Sequence, residues 1–283
     1  MDTQLSAQDA QQALRERMRF YRDLGISSFY RRPVDEALWG APQPAPAAQA
    51  EATRTQATPP SAQPLIPDFQ DHDMAPRKPF PAPPPIAPPT PADQHASALQ
   101  IIRSEIGDCT RCALAQGRNQ LVFGDGDPNA RLFFVGEGPG ADEDASGIPF
   151  VGKGGQLLNN MIGAMGLRRD QVYIANVVKC RPPANRTPEP DEAHTCSPYL
   201  FRQIDIVRPE VIVALGQTAV TYLMGEKRPL SAWRGAVHPF RGSKLIVTYH
   251  PAFLLRDPNQ KKFAWADLQI AMRELGLKPP QKA

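Results

Sequence analysis

Apolar strands alternate with helical segments from residue 131 onward, and this alternation constrains the fold more than any other feature of the sequence. The predicted strands are Arg131–Val135, Val172–Val178, Val211–Leu215 and Leu245–Thr248. The predicted helices are approximately Gly154–Met165, Pro190–Val207, Gln217–Met224 and Pro258–Leu275. Strands that alternate with helices form a parallel sheet with helices on both faces. The sequence therefore predicts an α/β domain.

The first third of the chain has a different composition. Sixteen of the 32 prolines fall between residues 41 and 95, and this stretch has too few large apolar residues to offset the chain entropy lost on folding. We expect a disordered, partly polyproline linker over residues 41–95 and a folded domain over residues 96–283. Within residues 1–40, apolar residues at helical spacing in Ser6–Leu24 predict a short helix, either weakly formed or used to bind a protein partner.

The expected cellular location and the charge of the chain limit the functions that it can have. The first 20 residues carry acids and arginines where a signal peptide has an apolar core, and no apolar run reaches membrane-spanning length. A cytoplasmic protein without membrane contact is expected. Residues 96–283 carry 23 Lys and Arg against 18 Asp and Glu, a weakly basic balance that is compatible with nucleic acid.

The four cysteines of the chain are all in the predicted domain: Cys109, Cys112, Cys180 and Cys196. The C-x2-C pair and the distant C-x15-C pair are typical of a four-thiolate metal site. Buried apolar thiols and disulfides are the alternatives, and a reducing cytosol disfavours disulfides. Thiolate ligands suit zinc and iron–sulfur clusters alike, so both remain open here.

Unusual residues follow each predicted strand. The segment GEGPGADED follows the first strand, Asn176 ends the second, Gly216 follows the third and His250 follows the fourth. Ligands bind at the carboxyl ends of strands in open parallel sheets, so one pocket is expected there. The segment fits a dinucleotide fingerprint, but three successive carboxylates, at 142–144, would repel a pyrophosphate. A loop that approaches a neutral planar ligand is the alternative.

The remaining residues suit a nucleobase, although each also has a simpler explanation. Phe150 lies among glycines, where it could stack on a base or anchor a loop. Asn176 interrupts an apolar strand, and its amide matches the N3–H and O4 edge of uracil unless loop backbone satisfies it. Leu254 and Leu255, beside Arg256, are predicted to be exposed and to enter a base stack, or else to belong to the core.

Three segments and the cysteine spacing carry a family resemblance: GEGPGADEDASGIPFVG, NVVKCRPPANR and HPAFLLR. Together they closely resemble the family 4 uracil-DNA glycosylases, over roughly residues 109–275. The resemblance implies a three-layer α/β/α sandwich with a four-stranded parallel sheet, a [4Fe–4S] cluster, and hydrolysis of the N-glycosidic bond of deoxyuridine in DNA. It does not extend to residues 1–95.

The resemblance also implies roles for single residues. Glu143 would activate water, His250 would face uracil O2, and Asn176 would read the base edge. The backbone of Glu137 and Gly138 would contact uracil, Phe150 would stack on it, and Asn185 would lie in the adjoining loop. Leu254 would fill the space left by the flipped base. The expected phosphate contacts are Arg181, Arg186 and Arg256, and the expected cluster ligands are Cys109, Cys112, Cys180 and Cys196.

The subclass and the competing functions give further expectations. A related branch traps its product with a histidine just after the NVVK-type strand. In this chain the first histidine after that strand is His194, close to Cys196, so covalent trapping is not expected. Gly140 stands where some relatives exclude thymine with a bulky tyrosine, so the means of excluding thymine stays open. No motif positions a lysine for lyase chemistry. We expect a monofunctional, monomeric glycosylase acting on single- or double-stranded uracil-containing DNA. The alternatives are a cluster-bearing damage-recognition protein without catalysis and a nucleotide-dependent oxidoreductase.

Overall fold

The computed structural model describes residues 83–278. The predictions for residues 1–40, and for the linker as far as residue 82, lie outside this range. The described strands are β1 (Asp125–Gly126), β2 (Leu132–Gly136), β3 (Tyr173–Asn176), β4 (Val211–Leu215), β5 (Val237–Phe240) and β6 (Ser243–Thr248). They form one sheet in the order β1-β3-β2-β4-β6-β5.

The four predicted strands form the parallel centre of this sheet. β3, β2, β4 and β6 pair in parallel, whereas β1 and β5 pair antiparallel at the two edges. The α/β class is confirmed, but the sheet has six strands rather than four. The edge strands escaped prediction because β1 has two residues and β5 contains Pro239 in a partly exposed VHPF segment. Proline is typical of edge strands, since it cannot donate to a ladder.

Seven helices surround the sheet in the described part of the chain. They are α1 (His95–Ile106), α2 (Ala141–Ser146), α3 (Lys153–Ala164), α4 (Pro190–Val207), α5 (Gln217–Met224), α6 (Pro251–Arg256) and α7 (Lys261–Glu274). The predicted bounds of α4 and α5 are those observed. Helices α1, α2 and α6 were not predicted. The six residues of α2 and of α6 are too few to show an apolar periodicity.

Alternating side chains of β2 divide the core into two layers. Phe133 and Val135 pack on one face with α1, α4 and α5. Leu132 and Phe134 pack on the other face with α3 and α7. All five residues of β2 are buried, as expected for a strand covered on both faces. The three-layer α/β/α arrangement follows, and no described helix has the length and apolar character needed to cross a membrane.

Proline-rich residues before α1 are hydrogen-bonded to the domain, although the sequence placed them in the linker. The Arg241 guanidinium donates to the carbonyls of Pro84 and Pro85, and the N–H of Ala87 donates to Asp205 Oδ2 over 3.1 Å. Arg241 and Asp205 also form an ion pair in which their side chains are 6% and 3% exposed. A proline-rich segment lacks most N–H donors but keeps its carbonyls, so a buried arginine can hold it.

Candidate active site

A cavity of about 610 Å³ lies where β2, β3 and β6 end. This is the edge of the sheet at which the sequence predicted a pocket. Nine of the predicted site residues line the cavity: Glu137, Gly138, Glu143, Phe150, Asn176, Asn185, Arg186, His250 and Arg256. Arg181 and Leu254 do not line it. Segments far apart in sequence thus converge on one concave site, which is the usual form of a small-ligand pocket.

Asn176 presents a buried amide to this cavity with its hydrogen bonds unmade. The residue ends β3 and is 1% exposed, and neither Nδ2 nor Oδ1 has a partner among the described residues. A Cβ at Gly136 would come within 2.3 Å of Asn176 Oδ1, so glycine is required beside it. Buried amides are nearly always hydrogen-bonded in folded proteins. The free donor and acceptor therefore indicate a ligand with a complementary acceptor and donor.

Phe150 forms an aromatic wall of the cavity. Its backbone has φ 53°, its side chain is buried, and its ring lies 5.6 Å from the His250 ring, centroid to centroid. The carboxylate of Glu143 holds the following loop, because Oε1 accepts from the N–H groups of Val151 and Gly152, both over 2.9 Å. A planar ligand could stack on the ring that this loop presents.

The two glutamates of the first motif have different surroundings. Glu143 accepts three backbone hydrogen bonds, since its Oε2 also accepts from the N–H of Gly140 over 3.0 Å. Glu137 accepts one bond, from the Thr218 hydroxyl, and burial raises the pKa of its carboxyl. Sequence reasoning used only the backbone of Glu137. Its side chain has more acceptor capacity left for water or ligand than the predicted Glu143.

His250 is a neutral hydrogen-bond donor at the cavity wall. It caps α6, and its Nδ1 accepts from the N–H of Ala252 over 3.2 Å, so the ring proton is on Nε2. Removal from water is the main cause that lowers the pKa of His250 to about 4. The Arg256 guanidinium lowers this pKa further, and the Glu143 carboxylate opposes the shift.

The predicted exposure of Leu254 is wrong. Leu254 is 1% exposed, whereas Leu255 is 44% exposed. The reason is that Pro251–Arg256 is helical, so successive side chains point about 100° apart. Leu254 faces the protein interior, whereas Leu255 is exposed beside Arg256.

Two of the predicted phosphate contacts are engaged within the protein. Arg186 donates to both carboxylate oxygens of the buried Glu192, over 2.8 and 2.7 Å, and lowers the pKa of that carboxyl. The Arg181 Nε donates to Asn185 Oδ1 over 2.8 Å. These contacts organise the loop after β3. Arg256 is exposed and makes no such bond within residues 83–278, which makes it the best placed of the three to meet a phosphate.

The four cysteines converge on a second, small cavity. All four line a space of about 20 Å³ together with apolar side chains such as Ile106 and Leu121, and no disulfide joins them. Burial raises the pKa of Cys196 to about 12 and also raises the pKa of Cys180. Three sulfurs accept hydrogen bonds: Cys196 from the N–H of Lys179, Cys180 from Arg118 and Cys109 from Arg111.

The four thiols suit a thiolate-bound metal centre. Hydrogen-bond donors directed at sulfur stabilise the negative charge that a metal-bound thiolate carries. Four thiolates can hold zinc or an iron–sulfur cluster, and no group of three or more His, Cys, Asp or Glu side chains in residues 83–278 is already arranged around a single metal position.

Lys179 connects the two cavities. Its ammonium is buried, and it donates to the Asn176 carbonyl over 3.0 Å and to Gln203 Oε1 over 2.6 Å. Its backbone N–H donates to Cys196 Sγ over 3.3 Å. The backbone that presents the Asn176 amide is therefore tied to the cysteine site through one residue.

Comparisons with known proteins agree with this geometry. The family profile described as "Uracil DNA glycosylase superfamily" matches residues 123–269. The type-4 uracil-DNA glycosylase of Sulfurisphaera tokodaii is 47% identical over 191 residues, which cover 64% of this chain and 86% of that protein. The corresponding enzyme of Thermotoga maritima is 46% identical over 161 residues, covering 56% and 84%.

A more distant relative helps to place the chain within the superfamily. The type-5 uracil-DNA glycosylase of Thermus thermophilus is 32% identical over 154 residues, which cover 46% of this chain and 68% of that protein. The type-4 relatives are therefore more similar in both identity and coverage. With a superfamily profile over more than half of its length and type-4 relatives covered over most of theirs, the chain belongs to the uracil-DNA glycosylase superfamily, in the type-4 family.

Proposed function

We propose that this protein is a monofunctional uracil-DNA glycosylase, which hydrolyses the N-glycosidic bond of deoxyuridine in DNA and leaves an abasic site. The unpaired, buried amide of Asn176 carries the proposal, since its donor and acceptor complement the O4 and N3–H of uracil. The names of the type-4 relatives support the same substrate. A base reaches such a pocket only after it leaves the duplex stack.

The residues of the pocket have separate tasks in this reaction. Phe150 stacks on the flipped base, and Asn176 selects its edge. The Nε2–H of His250 donates to uracil O2, where negative charge develops as the bond to the sugar breaks. A donor fixed at that position lowers the barrier without reorganising during the reaction. Because the ring is neutral, uracil leaves as a hydrogen-bonded anion.

Water attack depends on the carboxylates of the first motif. We assign the water-facing role to Glu137, which lines the pocket and accepts one hydrogen bond, and the loop-positioning role to Glu143. A carboxylate near the sugar also stabilises the positive charge of an oxocarbenium-like transition state. The family resemblance had implied the water-activating role for Glu143.

DNA contact is proposed for the exposed end of α6. Leu255 is the apolar side chain that fills the vacated space in the base stack, and Arg256 contacts a phosphate. We also propose that the protein acts as a monomer and that it is located in the cytoplasm near DNA. Residues 1–40 are proposed to bind a protein partner.

The test of the function is a strand-cleavage assay. Full-length protein is incubated with an oligonucleotide that contains one uracil, and alkali then cleaves any abasic site. We expect cleavage after alkali with uracil, none with thymine in its place, and none before alkali. Lys153 is exposed and lines the cavity, and a lysine amine is the group that lyase chemistry would use. Cleavage without alkali would therefore show lyase activity and contradict the monofunctional assignment. Tight binding of uracil-containing DNA without base release would instead favour a non-catalytic damage-recognition protein.

A [4Fe–4S] cluster held by Cys109, Cys112, Cys180 and Cys196 is proposed for the second cavity. The hydrogen bonds to sulfur and the shared cavity support it. When bound, the cluster supplies a rigid link between the segment before β1 and the loop after β3, and so stabilises the base-reading backbone. No step of the hydrolysis requires it to change redox state.

Iron content and absorbance test this cluster independently of activity. Protein purified without oxygen is expected to be brown, with a broad absorbance near ~400 nm and about four iron atoms per chain. Cys180→Ser should lose both signals because one ligand is removed. Thr195→Ala, which changes the same cavity without removing a thiol, should keep them. Zinc at one atom per chain would contradict the proposal.

A further inference from the structure

Phe150 has a backbone conformation that an aromatic residue rarely adopts. Its φ of 53° lies in the left-handed region, which is sterically disfavoured for side chains other than glycine and which persists only when the surroundings impose it. Gly155 of α3 lies so close that a Cβ there would come within 2.0 Å of the Phe150 carbonyl. The surroundings therefore fix this residue, and with it the direction of the ring.

Arg169 binds the carbonyl groups of the two peptide groups that flank the Phe150 side chain. It begins a short 3-10 turn, Arg169–Gln171, just before β3. Its Nη2 donates to the Pro149 carbonyl over 2.5 Å, and its Nη1 donates to the Phe150 carbonyl over 3.1 Å. The same guanidinium donates to Asn159 Oδ1 over 3.1 Å and lies 3.4 Å from an oxygen of Asp125.

The loop is thus held from two sides. Arg169 binds the two carbonyls at positions 149 and 150, and Glu143 binds the two N–H groups at positions 151 and 152. Phe150 is the residue between these contacts. Arg169 does not line the cavity, so it acts on a ligand only through the loop.

We propose that Arg169 is a positioning residue that sets the Phe150 ring for stacking on the flipped base. The proposal rests on the proposed function, since it assigns a residue to the same pocket. A planar guanidinium can bind two successive carbonyls and two side chains at once, and a lysine ammonium cannot reproduce this fork. Arg169→Lys is therefore expected to behave as a loss of function rather than as a conservative change.

The competing explanation is a purely structural role. Arg169 also joins α3 to β1 through Asn159 and Asp125, and a loss of these links would lower activity by loosening the domain. A double-mutant cycle with Phe150 separates the two explanations. If Arg169 acts through the ring, its removal has little effect once the ring is gone; an independent structural role gives the same fold-change in both backgrounds.

The experiment measures kcat/KM for uracil release by full-length, cluster-containing protein. Arg169→Met in the wild-type background is expected to lower kcat/KM by about 10- to 100-fold, the scale of a misplaced reacting group. In the Phe150→Leu background the same change is expected to cost less than about 3-fold. Arg168→Met is the matched control, because Arg168 is exposed and paired with the exposed Asp170. It should leave kcat/KM unchanged.

Three outcomes overturn the proposal. Arg169→Met with wild-type kcat/KM does so directly, and so does an equal loss in the two backgrounds. If Arg169→Met fails to fold, Arg169→Lys replaces it in the same cycle with the same expected values. If the wild-type protein releases no uracil, the proposed function and this inference both fail. If the wild-type protein is active but the two substitutions lower kcat/KM independently, only this inference fails.

Discussion

Replacing Asn176 with Ala is expected to lower kcat/KM for uracil release by about 10³-fold, because the pocket then loses the groups that select the base edge. The same change should not lower the free energy of unfolding. Nδ2 and Oδ1 have no partner in the described structure, and removing buried polar atoms that make no hydrogen bond avoids a desolvation cost. The measurements are single-turnover excision and urea denaturation.

Activity and stability together show whether the Asn176 amide binds the substrate or supports the fold. Asn160→Ala is the matched control, since Asn160 is an exposed asparagine of α3, and it should change neither quantity. A variant that loses stability and activity in parallel would show that the amide is a structural group. A variant that keeps activity would remove the observation on which the proposed function rests.

Replacing His250 with Ala is expected to lower kcat by about 10²- to 10³-fold, the usual effect of removing one donor from a site of developing charge. The pH dependence gives a second test. Because the pKa of His250 is lowered to about 4, the wild-type ring is neutral from about pH 5 upward, and excision should show no titration near pH 6.5. An activity transition near pH 6.5 that disappears in the variant would contradict a neutral donor.

The free energy of unfolding should depend on pH for the same reason. Between about pH 4 and 6.5 the unfolded chain binds a proton at His250 and the folded protein does not, so protons favour unfolding in this window. The free energy of unfolding of the wild-type protein is therefore higher above pH 6.5, and the contribution of His250 is lost as the pH falls towards 4. His250→Ala should lack this component, which urea denaturation at pH 5 and pH 7.5 would measure.

The sheet centre and the pocket could be predicted because they depend on local patterns. The parallel strands are short apolar runs, and the residues that end them must meet at one edge of the sheet. The edge strands could not be predicted, since β1 has two residues and β5 is partly polar. Leu254 and Leu255 were both predicted to be exposed because the helical phase of six residues is not visible in the sequence.

Roles that depend on hydrogen bonds between distant segments were also beyond the sequence. Glu143 and Glu137 look equivalent in GEGPGADED, and the hydrogen bonds that their carboxylates accept distinguish them: three from the backbone to Glu143 and one from Thr218 to Glu137. Arg169 belongs to no motif, and its connection to Phe150 spans 19 positions. Propensity and periodicity carry no signal for such contacts, because the folded loops create them.

The bonds from Arg241 and Asp205 to residues 84–87 also set where the N-terminal extension leaves the domain. Arg241 lies just before β6 and His250 lies just after it. A six-residue strand separates the two ends by about 20 Å, so residues 84–87 are held at the end of the sheet opposite the pocket. A ligand that enters the pocket therefore does not meet this proline-rich segment.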